Sequence, residues 1–351
     1  MKSETYFEQM RETSELVDNI IFSALEPLKQ QNPEMYKSVV TLPEKRRGLP
    51  KARAHLARLV YGICRPNYIK GEWADLSASV ELELNAMYYR NQFYDKKAGI
   101  LNREDIIKNS LSADYSRDLA QEVLEKSNYL EKEKLVEILR EADVNCSRGF
   151  WIDIFENTYP NMKDCSFDSQ ILLNNKRLYL MNASFFEKIA QMAVISAGEK
   201  DFSKIIALSN FGKEYGMIIQ GINDIADFVP PKENLGTTEK TRSDAYRDIK
   251  AQKMTQPIIW LLNNGSPGDK KCLRSIFEIG ENATLDDLEN LTKILVKSGA
   301  IDFAKHNVME FARRAKQNLK TAFLRDERKY LSPMCFMAKR NRYYDALKKY
   351  K

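Results

Sequence analysis

Apolar residues recur along the chain at spacings of three and four, the period of a helix with one buried face. Residues 4 to 29 show it first, with Tyr6, Met10, Leu16, Ile20 and Leu25 among the apolar positions. The Pro- and basic-rich piece from Leu42 to Pro50 separates that helix from a second at Lys51 to Ile63. The same period predicts helices over 73 to 95, 103 to 126, 131 to 158, 177 to 197, 202 to 228, 241 to 262, 268 to 279, 285 to 297, 300 to 320 and 335 to 349. No run of alternating apolar residues bounded by hairpin turns interrupts them. The implied fold class is all-α, as one domain over residues 1–351.

One helical stretch departs from simple amphipathicity. Between Gly216 and Phe228, the residues Gln220, Asn223, Asp224 and Asp227 fall at i, i+3, i+4 and i+7 and form one polar stripe on an apolar segment. A solvated face in a chain with 55 Lys and Arg would carry some of them, and this stripe has none. It is therefore expected to face a polar cavity, where Asp and Asn oxygens one turn apart can share a Mg²⁺ ion. Downstream, Lys253 places a positive charge ahead of Pro257, which is expected to end or bend a helix. An acidic metal site followed by a lysine suggests a bound polyphosphate.

Composition narrows the alternatives. Net charge is +6 with a pI near 8.8, but basic and acidic residues interleave through most of the chain, so no nucleic-acid partner is expected. The basic run from Lys339 to Lys351 reads as a solvated helix end. The five cysteines share no close spacing and suggest neither a zinc site nor a disulfide framework. No apolar run approaches membrane-spanning length, so no stable membrane insertion is expected, and a cytoplasmic location follows by default. Asp286 and Asp287 mimic a metal motif, but Thr284 with Asp287 makes a capping box the better account. His55 and His306 have no partner at metal or triad spacing and are expected to be structural.

Gln220-x-x-Asn223-Asp224-x-x-Asp227, followed by Asp248-(x)4-Lys253-x-Thr255-x-Pro257, resembles the second aspartate-rich motif and lysine motif of the trans-isoprenyl diphosphate synthases (polyprenyl synthetases). The resemblance implies a single helical bundle of the class I isoprenoid synthase type with a central apolar cavity. In that family a glutamate precedes three aspartates by ten, eleven and fourteen residues. Here the positions are Glu81, Asn91, Gln92 and Asp95, so two carboxylates have become amides. Lys51 and Arg53 are similar to the basic element that holds the homoallylic diphosphate, although its lysine position falls on Pro50. Lys96 and Lys97 stand where the family has arginines a few residues later, and Asn182-Ala183 roughly where it has Lys-Thr. Ala86, five residues before Asn91, stands where a bulky side chain shortens the family's products, which implies a longer product.

The resemblance thus implies an enzyme in which Asn91, Asp95, Asn223, Asp224 and Asp227 hold Mg²⁺ on an allylic isoprenyl diphosphate. Asp95, Asp224, Asp227 and Lys253 carry the catalysis, and Lys51, Arg53, Lys97, Gln220 and Lys253 bind substrate. Prenyl transfer to isopentenyl diphosphate is the leading expectation. The altered basic positions keep open a class I terpene synthase, a prenyltransferase with a non-isoprenoid acceptor, and a non-catalytic partner subunit. Homodimers are common in that family, so a second copy of the chain is an implied partner.

Overall fold

In the computed structural model, which describes residues 3–94, 102–230, 245–323, 328 and 331–351, the regular elements are helical. Among the described residues the β structure is an isolated antiparallel bridge between Thr158 and Lys253. The helices are α1 (Ser3–Gln31), α2 (Pro33–Lys45), α3 (Ala52–Cys64), α4 (Ala74–Tyr94), α5 (Arg103–Lys126), α6 (Lys132–Trp151), α7 (Tyr159–Met162), α8 (Phe167–Leu178), α9 (Ser184–Ser196), α10 (Phe202–Ala226), α11 (Arg247–Lys250), α12 (Gln256–Asn264), α13 (Pro267–Ile279), α14 (Leu285–Lys297), α15 (Ala300–Ala322) and α16 (Arg342–Lys348). They fall into two compact units. The first comprises Met1–Asp143, Phe186–Gly212 and Asn318–Leu331; the second comprises Val144–Phe185, Lys213–Gln317 and Ser332–Lys351. Several boundaries lie inside helices rather than in linkers. A single domain over 1–351 stays a proposal.

Several boundaries differ from the sequence expectation for identifiable reasons. Helix α2 was not expected, yet Asn32 caps it by accepting the Met35 N–H at 3.1 Å and Pro33 opens it. The break in the Pro-rich piece is therefore confined to Arg46–Pro50. The expected 131–158 helix ends at Trp151 in a π-helical turn over Ile152–Glu156, and a second π turn over Tyr179–Ala183 divides α8 from α9. The expected 241–262 helix is two pieces, α11 and α12, and its start at 241–244 lies outside the described residues. Pro257 opens α12 instead of ending a helix, because its missing N–H costs nothing in a first turn. The capping box of Thr284 with Asp287 is present, with Thr284 Oγ1 donating to Asp287 Oδ2 at 2.6 Å.

Helix α4 is the axis of the first unit, packed against α1, α3 and α5. Its residues Leu76 to Met87 are all buried, which explains why it has no polar face. The stretch Ser77-Ala-Ser-Val-Glu-Leu-Glu-Leu-Asn85 alternates with strand period, yet as a helix it sends each polar side chain to a partner. Ser77 donates to Ala54 O at 3.0 Å and Ser79 to Ala120 O at 2.7 Å. Arg46, stacked on Tyr88, donates to Glu81 and Asn85, both at 2.8 Å. Ala86 clusters with Tyr89 and Ala113, and Leu42 packs against them, so its neighbours are helix-packing side chains. His55 is buried with Thr13 Oγ1 3.1 Å from Nδ1, and burial, aided by Arg58, pushes its pKa down to about 3. These are the surroundings of a neutral core side chain.

Glu83 carries a pH consequence. Burial first, then the Asp143 carboxylate, push its pKa up to about 8 against the pull of Arg90 and Arg117. The folded chain keeps this proton to about pH 8, while the unfolded chain releases it near its ordinary value of 4.5. Stability is therefore highest at low pH with respect to this group and is lost as pH rises across that window. The loss across the whole window is on the order of 5 kcal/mol. Thermal denaturation of Glu83→Gln from pH 5 to 8.5 should show a flatter slope than the parent and higher stability at pH 8. Parallel slopes would refute the assignment.

Candidate functional site

The second unit holds a buried network of carboxylates and cations. Its foundation is a close approach at Gly149, where a Cβ would lie 2.4 Å from the Met181 backbone nitrogen. Only a residue without a side chain lets the helix leading to the first π turn lie against the second π turn. Asp153 stands on the first π turn and Arg177 on the last turn of α8, just before the second. Both are about 1% exposed. Arg177 Nη1 donates to Asp153 Oδ1 at 3.0 Å, Nη2 donates to Asp224 Oδ2 on α10, and Nε donates to Asn174 Oδ1 at 3.1 Å. Gln220 Nε2 donates to the other Asp224 oxygen at 3.1 Å.

Lys253 enters from the segment after α11. The bridge to Thr158 fixes it there: Tyr159 N–H donates to Gln252 O at 2.8 Å and Met254 N–H to Asn157 O at 2.9 Å. Its ammonium pairs with Asp153 Oδ2 and lies 3.5 Å from Asp248 Oδ1. Asp227 takes the Arg247 and Asp248 backbone N–H groups on its two oxygens, at 3.0 and 3.2 Å. Tyr246 and Gln252, which bracket α11, adopt left-handed φ angles of 64° and 56°. Such conformations cost about 1–3 kcal/mol each and persist where the surroundings fix them. Here Tyr246 is buried with its hydroxyl 3.1 Å from Thr292 Oγ1, and Gln252 donates to Phe277 O at 2.6 Å.

The charge balance leans negative. Burial, opposed by Arg177 and reinforced by Asp248, pushes Asp224 up to about 6, and burial with Asp248 pushes Asp227 well above its ordinary value. Burial also acts on Asp153, but Lys253 and Arg177 outweigh it and hold it low. Among the described residues no three His, Cys, Asp or Glu side chains converge as a ready metal cage. Mg²⁺ is usually held by one or two carboxylates together with substrate phosphates and water, and a cluster of hard oxygens short of positive charge fits that mode.

The sequence-predicted residues fare differently. Asp224, Asp227 and Lys253 are buried in or beside this network, Gln220 is half-buried, and Asn223 is exposed, so the expected single stripe is split. Lys51 and Arg53 belong to the first unit, as does Asn91. Lys51 is 3% exposed and donates to Asp18 at 2.9 Å and to Arg46 O at 3.1 Å. Those contacts make it a clasp for the Arg46–Pro50 loop. Arg53 stacks its guanidinium 4.8 Å from the Phe186 ring. Asn91 is half-buried, and its Oδ1 is a buried acceptor with no hydrogen bond. Asp95 and Lys97 lie outside the described residues. Asn182 donates to Gly216 O at 3.0 Å.

Asp153 and Arg177 were not foreseen. A lone carboxylate in Gly149-Phe-Trp-Ile-Asp153-Ile-Phe155 is a usable signal, because an acid amid apolar neighbours needs a buried partner. Lys176-Arg177 offers none, since it reads as a solvated helix end.

Known proteins bear on this geometry. A solved geranylgeranyl pyrophosphate synthetase from Pyrococcus horikoshii Ot3 superposes with a TM-score of 0.77 over 97% of this chain and 100% of that one, at 19% identity. The fold is therefore the all-α fold of that structure. A geranylfarnesyl diphosphate synthase of Aeropyrum pernix is 28% identical over 185 residues, 52% of this chain and 51% of the relative. An octaprenyl diphosphate synthase of Escherichia coli is 24% identical over 182 residues, 52% of this chain and 51% of the relative. The chain spans about half the length of the curated relatives it matches. The profile described as Polyprenyl synthetase matches residues 104–295, a stretch that contains Asp153, Arg177, Asp224, Asp227 and Lys253 and excludes Lys51 and Asn91. Since that match covers more than half of the 351 residues, the chain belongs to the polyprenyl synthetase family.

Proposed function

We propose that the chain ionises an allylic isoprenyl diphosphate with Mg²⁺ and transfers the prenyl group to isopentenyl diphosphate. The observation that carries this reading is the buried network in which Asp224 and Lys253, at the positions of the family's second acidic and lysine motifs, are joined through Arg177 and Asp153. Asn223, Asp224 and Asp227 in the second motif, and Asn91 and Asp95 in the first, are the residues that would hold Mg²⁺, which when bound supplies positive charge to the departing diphosphate. Lys253 is fixed in place before substrate arrives and adds a preorganised cation to the same task. Arg53 and Lys97 are the remaining candidates for diphosphate contacts, and Gln220 orients Asp224. Ionisation breaks the C1–O bond with its electron pair leaving on the diphosphate. The acceptor alkene then forms the new C–C bond at C1 and loses a proton, inside a chamber that must exclude water.

Lys51 favours a second reading. Its ammonium is taken by Asp18 and backbone carbonyls, which weakens the acceptor-diphosphate element and supports cyclisation or a different prenyl acceptor. Product analysis of the protein with Mg²⁺ and geranyl, farnesyl or geranylgeranyl diphosphate, each with and without isopentenyl diphosphate, separates these. Longer diphosphates that require isopentenyl diphosphate are the expected result. Hydrocarbons or alcohols formed without it would replace the first reading with the second. No turnover at all would move a non-catalytic partner-subunit role, as one half of an assembly with a second chain, to the front.

A further inference from the structure

We propose that the C-terminal segment and the adjoining side of α15 form a docking surface for the anionic face of a lipid bilayer. The proposal is independent of the catalytic reading above.

The distribution of charge carries it first. Residues 302–316 and 332–351 together hold ten Lys and Arg against three Asp and Glu, a net charge of +7, while the whole chain carries +6. The rest of the chain is therefore net −1, and the positive excess belongs to these two segments. They lie side by side. Lys316 stands over the Phe336 ring at 5.1 Å, Lys305 over the Tyr344 ring at 4.9 Å, and Lys351 donates to Asp302 at 3.1 Å, so the C-terminal segment runs antiparallel to α15. The basic run is thus not the solvated helix end that its sequence suggests. Met334, Cys335, Ala338, Tyr344 and Leu347 are buried and seat it, while Lys339, Arg340 and Arg342, between the two ring contacts, stay exposed.

Apolar exposure carries it second. Phe336 is 58% exposed, and Met309, on the α15 face that holds Lys305 and Lys316, is 41% exposed. Apolar side chains among cations suit a bilayer surface, where they enter between headgroups while Lys and Arg meet the lipid phosphates. A nucleic acid would meet the same cations but not the same rings. Stacking on bases needs open ring faces, and here Lys316, Arg342 and Lys349 lie over Phe336, Tyr343 and Tyr350.

The test is co-sedimentation of the full chain with vesicles of phosphatidylcholine and phosphatidylserine in equal parts, beside vesicles of phosphatidylcholine alone, at physiological ionic strength. The parent should sediment with the anionic vesicles, stay in the supernatant with the neutral ones, and be released by added salt. The combined variant Lys339→Gln, Arg340→Gln, Arg342→Gln should bind about 10²-fold more weakly, since each charge near the membrane is worth about fivefold. Phe336→Ala, which leaves every charge in place, should bind about fivefold more weakly. The control Lys37→Gln, Lys126→Gln, Lys134→Gln removes the same charge from exposed positions on α2, α5 and α6 and should bind as the parent does. No sedimentation of the parent with anionic vesicles overturns the proposal, as does an equal loss in the control, which would reduce the effect to net charge. Binding of labelled duplex DNA or single-stranded RNA more tightly than the vesicles at the same salt reassigns the surface to a nucleic acid. If the combined variant fails to fold, Phe336→Ala decides, and binding equal to the parent's overturns the proposal.

Discussion

Asp153→Ala should lower the free energy of unfolding by about 3–5 kcal/mol. Two cations converge on this side chain, Arg177 on one oxygen and Lys253 on the other, and both Asp153 and Arg177 are almost fully buried. Taking charges out of water is costly, and attraction within the network offsets that cost only while each member has its partners. Removing the carboxylate strips Lys253 of its buried acceptor and leaves Arg177 with Asp224 and Asn174. Asp153→Asn, which keeps an acceptor oxygen and the side-chain shape, should cost markedly less. An exposed pair such as Lys37 with Glu34, 70% and 82% exposed, sets the contrast, since solvent already satisfies both of its members. Thermal or urea denaturation of the two Asp153 variants checks the expectation, and an Ala variant as stable as the Asn variant would show that the network does not hold this unit together.

The fold was largely legible because its apolar period is strong. Helices α5 and α14 have the expected ends, and both carry acidic first turns and cap residues that the sequence displays openly, Asn102 and Thr284. What escaped was set by contacts between distant parts of the chain. The π turns after Trp151 and Leu178 depend on Gly149 meeting the backbone of Leu180 and Met181, and no local periodicity records such a contact. Helix α2 is signalled locally by Asn32-Pro33, but the Pro- and Arg-rich piece just beyond carries the opposing signal of a break.

The candidate site was legible where a motif carried it and opaque where charge pairing did. Asp224, Asp227 and Lys253 follow from spacing. Whether a carboxylate faces a metal or an arginine does not, because Arg177 comes from 47 residues away and its own neighbours make it look like a helix end. The same limit applies to Lys51, whose resemblance to a diphosphate ligand says nothing about Asp18. A sequence shows which charges are present. Their pairing belongs to the tertiary structure, and burial turns that pairing into an energetic question.

Lys253→Met should reduce turnover of an allylic diphosphate by about 10²–10³. The backbone carries the argument. Gln252 is held at a left-handed φ of 56° and the neighbouring amides are tied to Asn157 and Tyr159, so the chain spends conformational energy to keep this one ammonium in place. A cation fixed before reaction pays no reorganisation cost when charge develops on the departing oxygen, which is why its loss falls on the rate. Asp153 keeps Arg177 as a partner in the variant, so the fold should survive better than in Asp153→Ala. Single-turnover release of diphosphate, measured beside a melting curve, separates the two effects. A folded Lys253→Met protein that releases diphosphate within about threefold of the parent rate would be a change of under 1 kcal/mol in the barrier, and would return Lys253 to a purely structural role.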